Sequence, residues 1–218
     1  MNQAHTFDAK RFAEMPLIGI LRGQPAGAID PLVQALADGG FTALEITMNS
    51  PGAAAQIRAA VNQAKGRIAI GAGTVTSLAG LAEAQTAGAS FIVTPIVVTE
   101  VITACVQRGL PVFPGAFTPT EVHQAHRLGA TMVKLFPANR LGPDYVRDLK
   151  APLSSVRLLA TGGITPESLT AYVKAGVEGF GIGSPLISPT HIASGDWNWI
   201  RKRATQFCAA WQSAQIIS

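Results

Sequence analysis

Short apolar runs alternate with alanine-rich stretches of helical period along almost the whole chain, and this alternation restricts the fold more than any other feature. The runs, rich in Val, Ile, Leu and Phe, fall at residues 17–21, 43–48, 68–75, 91–95, 112–116, 132–137, 157–161 and 179–183. They are continuous rather than alternating, which is the pattern of strands buried on both faces. Helical segments at 28–38, 53–64, 78–87, 98–108, 120–128 and 167–175 lie between them, and each runs into glycine: Gly39-Gly40, Gly66, Gly88, Gly109, Gly129 and Gly176. Glycine just past a helix takes the left-handed conformation that closes its C-terminus. Helix starts are marked as well. Ser50-Pro51, Thr118-Pro119 and Thr165-Pro166 each pair a capping hydroxyl with a proline suited to the first turn.

Strands that alternate with helices imply right-handed crossovers and a parallel sheet. Eight such units predict an α/β protein folded as a (β/α)8 TIM barrel, at the small end of that architecture's size range. The rival is an open doubly wound sheet, which carries Gly-x-Gly-x-x-Gly after its first strand. Here that position reads Arg22-Gly23-Gln24-Pro25. No linker, charge block or low-complexity tract interrupts the pattern, so residues 1–218 are expected to form a single domain. The segment before Met15 is expected to add a short helix that plugs or flanks the barrel bottom. Residues 197–213 read as the last helix, with Trp197, Ile200, Ala204, Phe207 and Trp211 at helical spacing for packing against the barrel.

Composition excludes several classes. With 48% apolar and 14% charged residues the chain is neither disordered nor a coiled coil. The net charge of +4 comes from 17 scattered basic residues. They form no basic face with interleaved aromatics, so no nucleic acid partner is expected, whereas a small anionic substrate is compatible. Cys105 and Cys208 stand alone without a Cys-x-x-Cys, as packed thiols in a reducing compartment would. Lys10 and Arg11 are followed by Glu14 and Pro16 rather than by an apolar core, which does not read as a secretory signal. The most apolar stretch, 91–102, is too short and too interrupted to cross a bilayer. A cytoplasmic protein without membrane partners is the expectation.

In a barrel of this kind the active site lies at the C-terminal ends of the strands, so polar residues there carry the search. Lys134 is the lone charge in Met132-Val133-Lys134-Leu135-Phe136-Pro137. Burial of its ammonium is costly, so the residue is either snorkelling or paired, or it is a lysine with lowered pKa whose neutral amine attacks a carbonyl to form a Schiff base. Glu45 is likewise alone in Ala43-Leu44-Glu45-Ile46-Thr47-Met48. It reads as an ion-pair partner of Lys134 or Arg22, or as a general acid and base, and the two readings are compatible. Arg22, at the end of the first strand, suits bidentate binding of a carboxylate. Thr74 brings a hydroxyl after Gly71-Ala72-Gly73, where the glycines would let a ligand approach the backbone. Thr161-Gly162-Gly163-Ile164 follows the seventh strand and Gly181-Ile182-Gly183-Ser184 the eighth. These are the positions where such barrels bind phosphate through backbone N–H groups. His123 and His126 on the fifth helix read as surface or packing residues rather than metal ligands, and His5 and His191 are isolated.

At these residues the sequence resembles the class I 2-keto-3-deoxy-6-phosphogluconate and 2-dehydro-3-deoxy-6-phosphogalactonate aldolases, from about Pro16 to the last helix. The resemblance is carried by Leu44-Glu45-Ile46-Thr47, Gly71-Ala72-Gly73-Thr74-Val75, Thr94-Pro95, Pro114-Gly115, Lys134-Leu135-Phe136-Pro137 and the two glycine motifs after the seventh and eighth strands. It implies Lys134 as the Schiff-base lysine and Glu45 as the general acid and base. Arg22 and Thr74 would lie near the substrate carboxylate, Pro95 and Phe136 in the pocket wall, and Gly162, Gly163, Gly183 and Ser184 at the phosphate. The implied reaction cleaves a phosphorylated 2-keto-3-deoxy sugar acid reversibly to pyruvate and glyceraldehyde 3-phosphate, without metal or cofactor. A homotrimer is implied as well.

The two substrates differ in configuration at one carbon. Members of the phosphogluconate type carry an arginine in a Thr-Leu-Arg-Thr segment after the second-strand glutamate. This chain has Thr47-Met48-Asn49-Ser50, which, with Ile20-Leu21-Arg22-Gly23 and Leu141-Gly142-Pro143-Asp144-Tyr145, resembles the phosphogalactonate type and brings Asn49 into the expected substrate site. Thr161 points the other way, because it is typical of the phosphogluconate type. The galactonate epimer is therefore the first expectation, and the gluconate epimer or both the second. Outside aldolases, the residues also fit a phosphate-binding isomerase or synthase that uses Lys134 and Glu45 for proton transfer, or a non-catalytic sensor of phosphorylated sugar acids.

Overall fold

The computed structural model describes residues 7–217. His5 lies outside the described residues. Eight parallel strands close into a barrel in the order β1 to β8: Leu17–Leu21, Ala43–Thr47, Ala69–Gly73, Ile92–Thr94, Val112–Ala116, Val133–Leu135, Leu158–Thr161 and Gly179–Ile182. The ring closes where β1 pairs with β8, with Ile18 opposite Gly181. Each strand is followed by helix. The series α2 to α8 runs Ile29–Asp38, Ala53–Ala64, Leu78–Thr86, Thr99–Gln107, Pro119–Arg127, Ala138–Lys150 and Pro166–Lys174. After β8 come a short α9, Pro189–Ala193, and a long α10, Trp197–Ile217.

Both faces of the strands are buried, which is why their sequences run apolar without alternation. Leu44, Ile46, Ile70, Ala72, Val133, Leu135 and Phe180 belong to the core between sheet and helices. Ile18, Ala43, Phe91, Val93, Phe113, Met132 and Leu159 form a second core inside the barrel together with Phe12. Phe12 comes from α1, Ala9–Glu14, which Asp8 caps by accepting from the Arg11 N–H at 2.9 Å. The rings of Phe7, Phe12, Phe91 and Phe113 meet at tilted or edge-on angles with centroids 5.0 to 6.3 Å apart. The short helix α1 thus packs Phe12 into the bottom of the barrel.

Gly40, Gly66, Gly88, Gly109, Gly129 and Gly176 all have positive φ, so the glycine stop signals after six helices hold. Thr118 and Thr165 cap α6 and α8 with prolines in the first turn, as expected. Ser50-Pro51 does not do so. Gly52 is the N-cap of α3, and Ser50 Oγ accepts from the Gly23 N–H at 2.8 Å while contacting Thr47 Oγ1 at 2.9 Å. The helix between β6 and β7 escaped sequence reasoning because Gly142 and Pro143 break its period. At Gly142 φ is 78° and ψ is 169°, and two helical pieces meet there in a kink. In α10 the stripe of Ile200, Ala204, Phe207 and Trp211 is buried, and the helix packs on α8 and α2. Both cysteines are free and buried, which pushes each thiol up to about 11. Among the described residues no helix is long and apolar enough to cross a membrane.

Candidate active site

The strand register stacks side chains inside the barrel in layers, two residues apart along each strand. Above the aromatic floor, β2 contributes Glu45 and β6 contributes Lys134, both buried in the interior. A cavity of about 190 Å³ opens over them at the C-terminal ends of the strands. Ten of the twelve expected site residues line it: Arg22, Thr74, Pro95, Lys134, Phe136, Thr161, Gly162, Gly163, Gly183 and Ser184. Ile20 and Pro185, which sequence reasoning did not single out, complete the wall. Glu45 and Asn49 stand behind it.

Interior glycines make the room for these groups. A Cβ on Gly73 would stand 2.5 Å from Glu45 Oε1, and one on Gly71 would stand 2.4 Å from the Phe91 ring. The space beside the Gly71-Ala72-Gly73 segment is therefore filled by the protein's own carboxylate and ring. This corrects the expectation that these glycines admit a ligand to the backbone.

Burial governs the two buried ionisable groups. Desolvation pushes the Glu45 carboxyl above the usual carboxylate range, against the opposing charges of Lys134 and Arg22. Desolvation also holds the Lys134 amine below its ordinary range. Arg22 adds to that effect and the Glu45 charge opposes it. The Lys134 ammonium position lies 5.5 Å from the centre of the Phe136 ring, which forms part of the mouth. A buried, partly desolvated amine beside an open cavity is a nucleophile poised for a carbonyl.

Arg22 is held in a fork. One guanidinium nitrogen donates to Asn49 Oδ1 at 3.1 Å and the other to Thr74 Oγ1 at 3.3 Å. Asn49, expected in the substrate site, accepts from Arg22 and does not line the cavity. Thr74 has φ of 56°, a rarely populated conformation for a β-branched residue. That backbone geometry carries its hydroxyl to the guanidinium. The loop bearing Arg22 is fixed further by Ser50 and by Gln56, whose amide donates to the Gln24 carbonyl at 2.9 Å. Ser50 read in sequence only as a helix cap, and Gln56 had no signal, since both act on the backbone of a distant loop.

Thr161 and the glycine loops form the other side. The Thr161 hydroxyl is buried and has no hydrogen-bond partner. Gly162 and Gly163 both have positive φ, and the Ser184 and Gly163 N–H groups have no backbone acceptor among the described residues. His123 and His126 lie on α6, away from the cavity walls, and among the described residues no group of three His, Cys, Asp or Glu side chains could hold a metal. His191 is not isolated. It stacks on Trp199 with ring centres 4.0 Å apart, and its Nδ1 lies 3.3 Å from Asp196 Oδ2.

A buried amine and carboxyl beneath a cavity walled by a guanidinium and free backbone amides suit carbonyl chemistry on an anionic substrate. The family model for KDPG and KHG aldolases matches residues 9–203. The chain belongs to that family. It is 37% identical over 201 residues to a probable 2-dehydro-3-deoxy-6-phosphogalactonate aldolase of Rhizobium meliloti, covering 92% of this chain and 93% of the relative. Identity to the 2-dehydro-3-deoxy-6-phosphogalactonate aldolase of Escherichia coli is 41% over 174 residues, covering 79% and 85%. Among solved structures, one described as native KDPGal superimposes with a TM-score of 0.87 at 36% identity, covering 97% of this chain and 99% of that one.

Proposed function

We propose that this aldolase cleaves 2-dehydro-3-deoxy-6-phosphogalactonate to pyruvate and glyceraldehyde 3-phosphate through a Schiff base on Lys134. The observation that carries the chemistry is the buried Lys134 amine, held below its ordinary pKa in the cavity wall. Its neutral form attacks the C2 ketone, and loss of water from the carbinolamine gives an iminium. A base removes the C4 hydroxyl proton, the C3–C4 bond breaks, and the bonding pair moves into the iminium to give an enamine. Glyceraldehyde 3-phosphate departs. A proton returned to C3 regenerates the iminium, which water hydrolyses to pyruvate and the free lysine. Glu45 is the acid and base for these transfers.

Arg22, forked by Asn49 and Thr74, takes the substrate carboxylate. Gly162, Gly163, Gly183 and Ser184 take the phosphate through their backbone amides. The galactonate epimer is favoured by the two relatives of 37% and 41% identity, both named for 2-dehydro-3-deoxy-6-phosphogalactonate. A specific observation also supports a second reading, cleavage of the gluconate epimer or of both. Thr161 lines the cavity and its buried hydroxyl has no partner, so a turn of that side chain would offer a bond to a substrate hydroxyl. Exposed Leu78, Ile96 and Phe117 follow β3, β4 and β5 along one side of the barrel top. We assign them to contacts with a second copy in a homotrimer, which light scattering of the purified protein tests.

Borohydride trapping with pyruvate, read by intact mass and peptide mapping, tests the central claim. A reduced pyruvyl adduct on Lys134, absent from Lys134→Ala, is the expected result. Folded protein without an adduct would sink the Schiff-base mechanism and bring forward the isomerase or sensor readings. Comparison of kcat/KM on the two epimers then assigns the substrate.

A further inference from the structure

Arg203 on α10 stands behind the loop that follows β8. Its Nε–H donates to the Pro185 carbonyl at 3.2 Å, and one of its terminal nitrogens donates to Gln206 Oε1 at 2.8 Å. The guanidinium carbon lies 5.4 Å from the centre of the Phe207 ring, which is fully buried. Only 21% of the Arg203 side chain is exposed. A planar guanidinium fixed on three sides presents its Nε–H at a defined point. Glu167, in the first turn of α8, is 3.8 Å from the same guanidinium, but its side chain is largely exposed and adds little.

The loop's backbone explains what this tether does. The Gly183 carbonyl accepts from the N–H groups of Leu186 and Ile187, each at 2.9 Å. In a trans peptide the carbonyl and the following N–H point to opposite sides. The Ser184 N–H is thereby turned away from that closed turn, and Ser184 lines the cavity. Pro185 has no N–H to offer. Its carbonyl belongs to the Pro185–Leu186 peptide, held by Gly183 at the N–H end and by Arg203 at the carbonyl end, and a shift of that carbonyl toward the cavity would set a partial negative charge against an anion. Arg203 holds that carbonyl outward.

Resting on the reading that Gly183 and Ser184 bind phosphate, we infer that Arg203 is a positioning residue of the phosphate site, acting through the Pro185 carbonyl and not by contact with substrate. Its removal leaves the Pro185–Leu186 peptide held at its N–H end alone, by the bond to the Gly183 carbonyl, and loosens the carbonyl end. Phosphate affinity falls while the chemistry at Lys134 continues.

The test compares Arg203→Met and Arg203→Lys with wild type on the phosphorylated substrate, on the same sugar acid without phosphate, and with inorganic phosphate as competitive inhibitor. In Arg203→Met the KM for phosphorylated substrate and the Ki of phosphate both rise, by about tenfold for loss of a charge-assisted bond. The kcat stays within about twofold, as do the kinetics on the unphosphorylated acid, because the tether touches no reacting atom. Lysine keeps the charge but places a methylene where the arginine Nε–H donates, so Arg203→Lys retains most of the KM rise. Full recovery in Arg203→Lys would replace the tether by a distant charge effect and overturn the inference. Equal losses on both substrates would reduce Arg203 to a structural residue. Should Arg203→Met fail to fold by circular dichroism, Arg203→Lys carries the same comparison. Wild-type protein with no preference for the phosphorylated substrate would remove the phosphate site itself, and this role with it. A wild-type preference that both variants leave unchanged would remove the role of Arg203 alone.

Discussion

Replacement of Gly73 by alanine tests whether the position of Glu45 governs proton transfer. A Cβ at residue 73 would stand 2.5 Å from Glu45 Oε1, 2.8 Å from its Cδ and 3.2 Å from Thr47 Cγ2. Ordinary carbon contacts lie at about 3.5 Å, so the carboxyl must retreat by about 1 Å. The backbone cannot yield easily, because β3 is paired with β2 on one side and β4 on the other. Overpacking of this kind costs about 1–3 kcal/mol. For a chain of this size each kcal/mol lowers Tm by about 2–4 °C, so a fall of about 2 to 12 °C is expected. A catalytic group displaced by about 1 Å slows its step by about 10²-fold. The assay is exchange of the pyruvate methyl protons with deuterated water, followed by proton NMR, beside borohydride trapping on Lys134. Slow exchange with a retained adduct is the expected pair of results. A Gly73→Ala protein that melts lower yet exchanges at the wild-type rate would refute the assignment of proton transfer to Glu45.

The other predictions rest on single groups. Glu45→Gln removes the charge that favours the Lys134 ammonium, so the Lys134 pKa falls further and the acid limb of borohydride trapping moves to lower pH. Arg22→Met removes a charge that disfavours the ammonium and moves that limb to higher pH, and a shift in the same direction for both variants would contradict the electrostatic account. Thr161→Val deletes a buried hydroxyl without a partner, so the unliganded protein should gain up to about 1 kcal/mol in a urea melt while its ratio of kcat/KM on the two epimers changes. A destabilised variant would mean that the hydroxyl has a partner. Phe113→Ala empties the aromatic floor and should cost about 3–5 kcal/mol in the same assay, and a loss below about 1 kcal/mol would show that the floor does not support the barrel.

Sequence reasoning reached the barrel because eight apolar runs and six glycine stops repeat one local signal, and each signal reports a backbone conformation. It reached Lys134 and Glu45 because a charge inside an apolar strand violates the pattern around it. The bond of Asn49 to Arg22 was not legible, since reach toward the substrate and reach toward Arg22 read alike along a chain. Arg203 and Gln56 act on carbonyls of loops distant in sequence and nothing in their neighbours marks them, while Ser50 was marked by Pro51 as a helix cap and serves the Gly23 N–H instead. The α7 kink was hidden by Gly142 and Pro143, which read as a break although the helix resumes in a new direction. The role of Gly73 needed the register between β2 and β3, which puts Glu45 opposite Gly71 and Thr47 opposite Gly73.

Burial drives Lys134 toward the neutral amine and Glu45 toward the neutral acid, while their mutual attraction favours the ion pair. The neutral pair and the ion pair hold the same number of protons. Each group's charge opposes the shift of the other, so the two titrations are coupled. The neutral pair is the form the proposed mechanism requires at its first step: a free lone pair to attack the ketone, and a carboxylic acid to protonate the oxygen that leaves as water. After that step Lys134 is an iminium and carries its charge irrespective of pH, so the Glu45 carboxylate regains a cation beside it. Its anionic form is then stabilised when a base is needed for the C4 hydroxyl. Weaker burial would leave a permanent ammonium with no nucleophile. A site without the acid would hold an amine that expels water only slowly. The aromatic floor below, which keeps water out, and Gly73 beside the carboxyl, which lets it lie flat against β3, are thus the parts of the fold that set the chemistry.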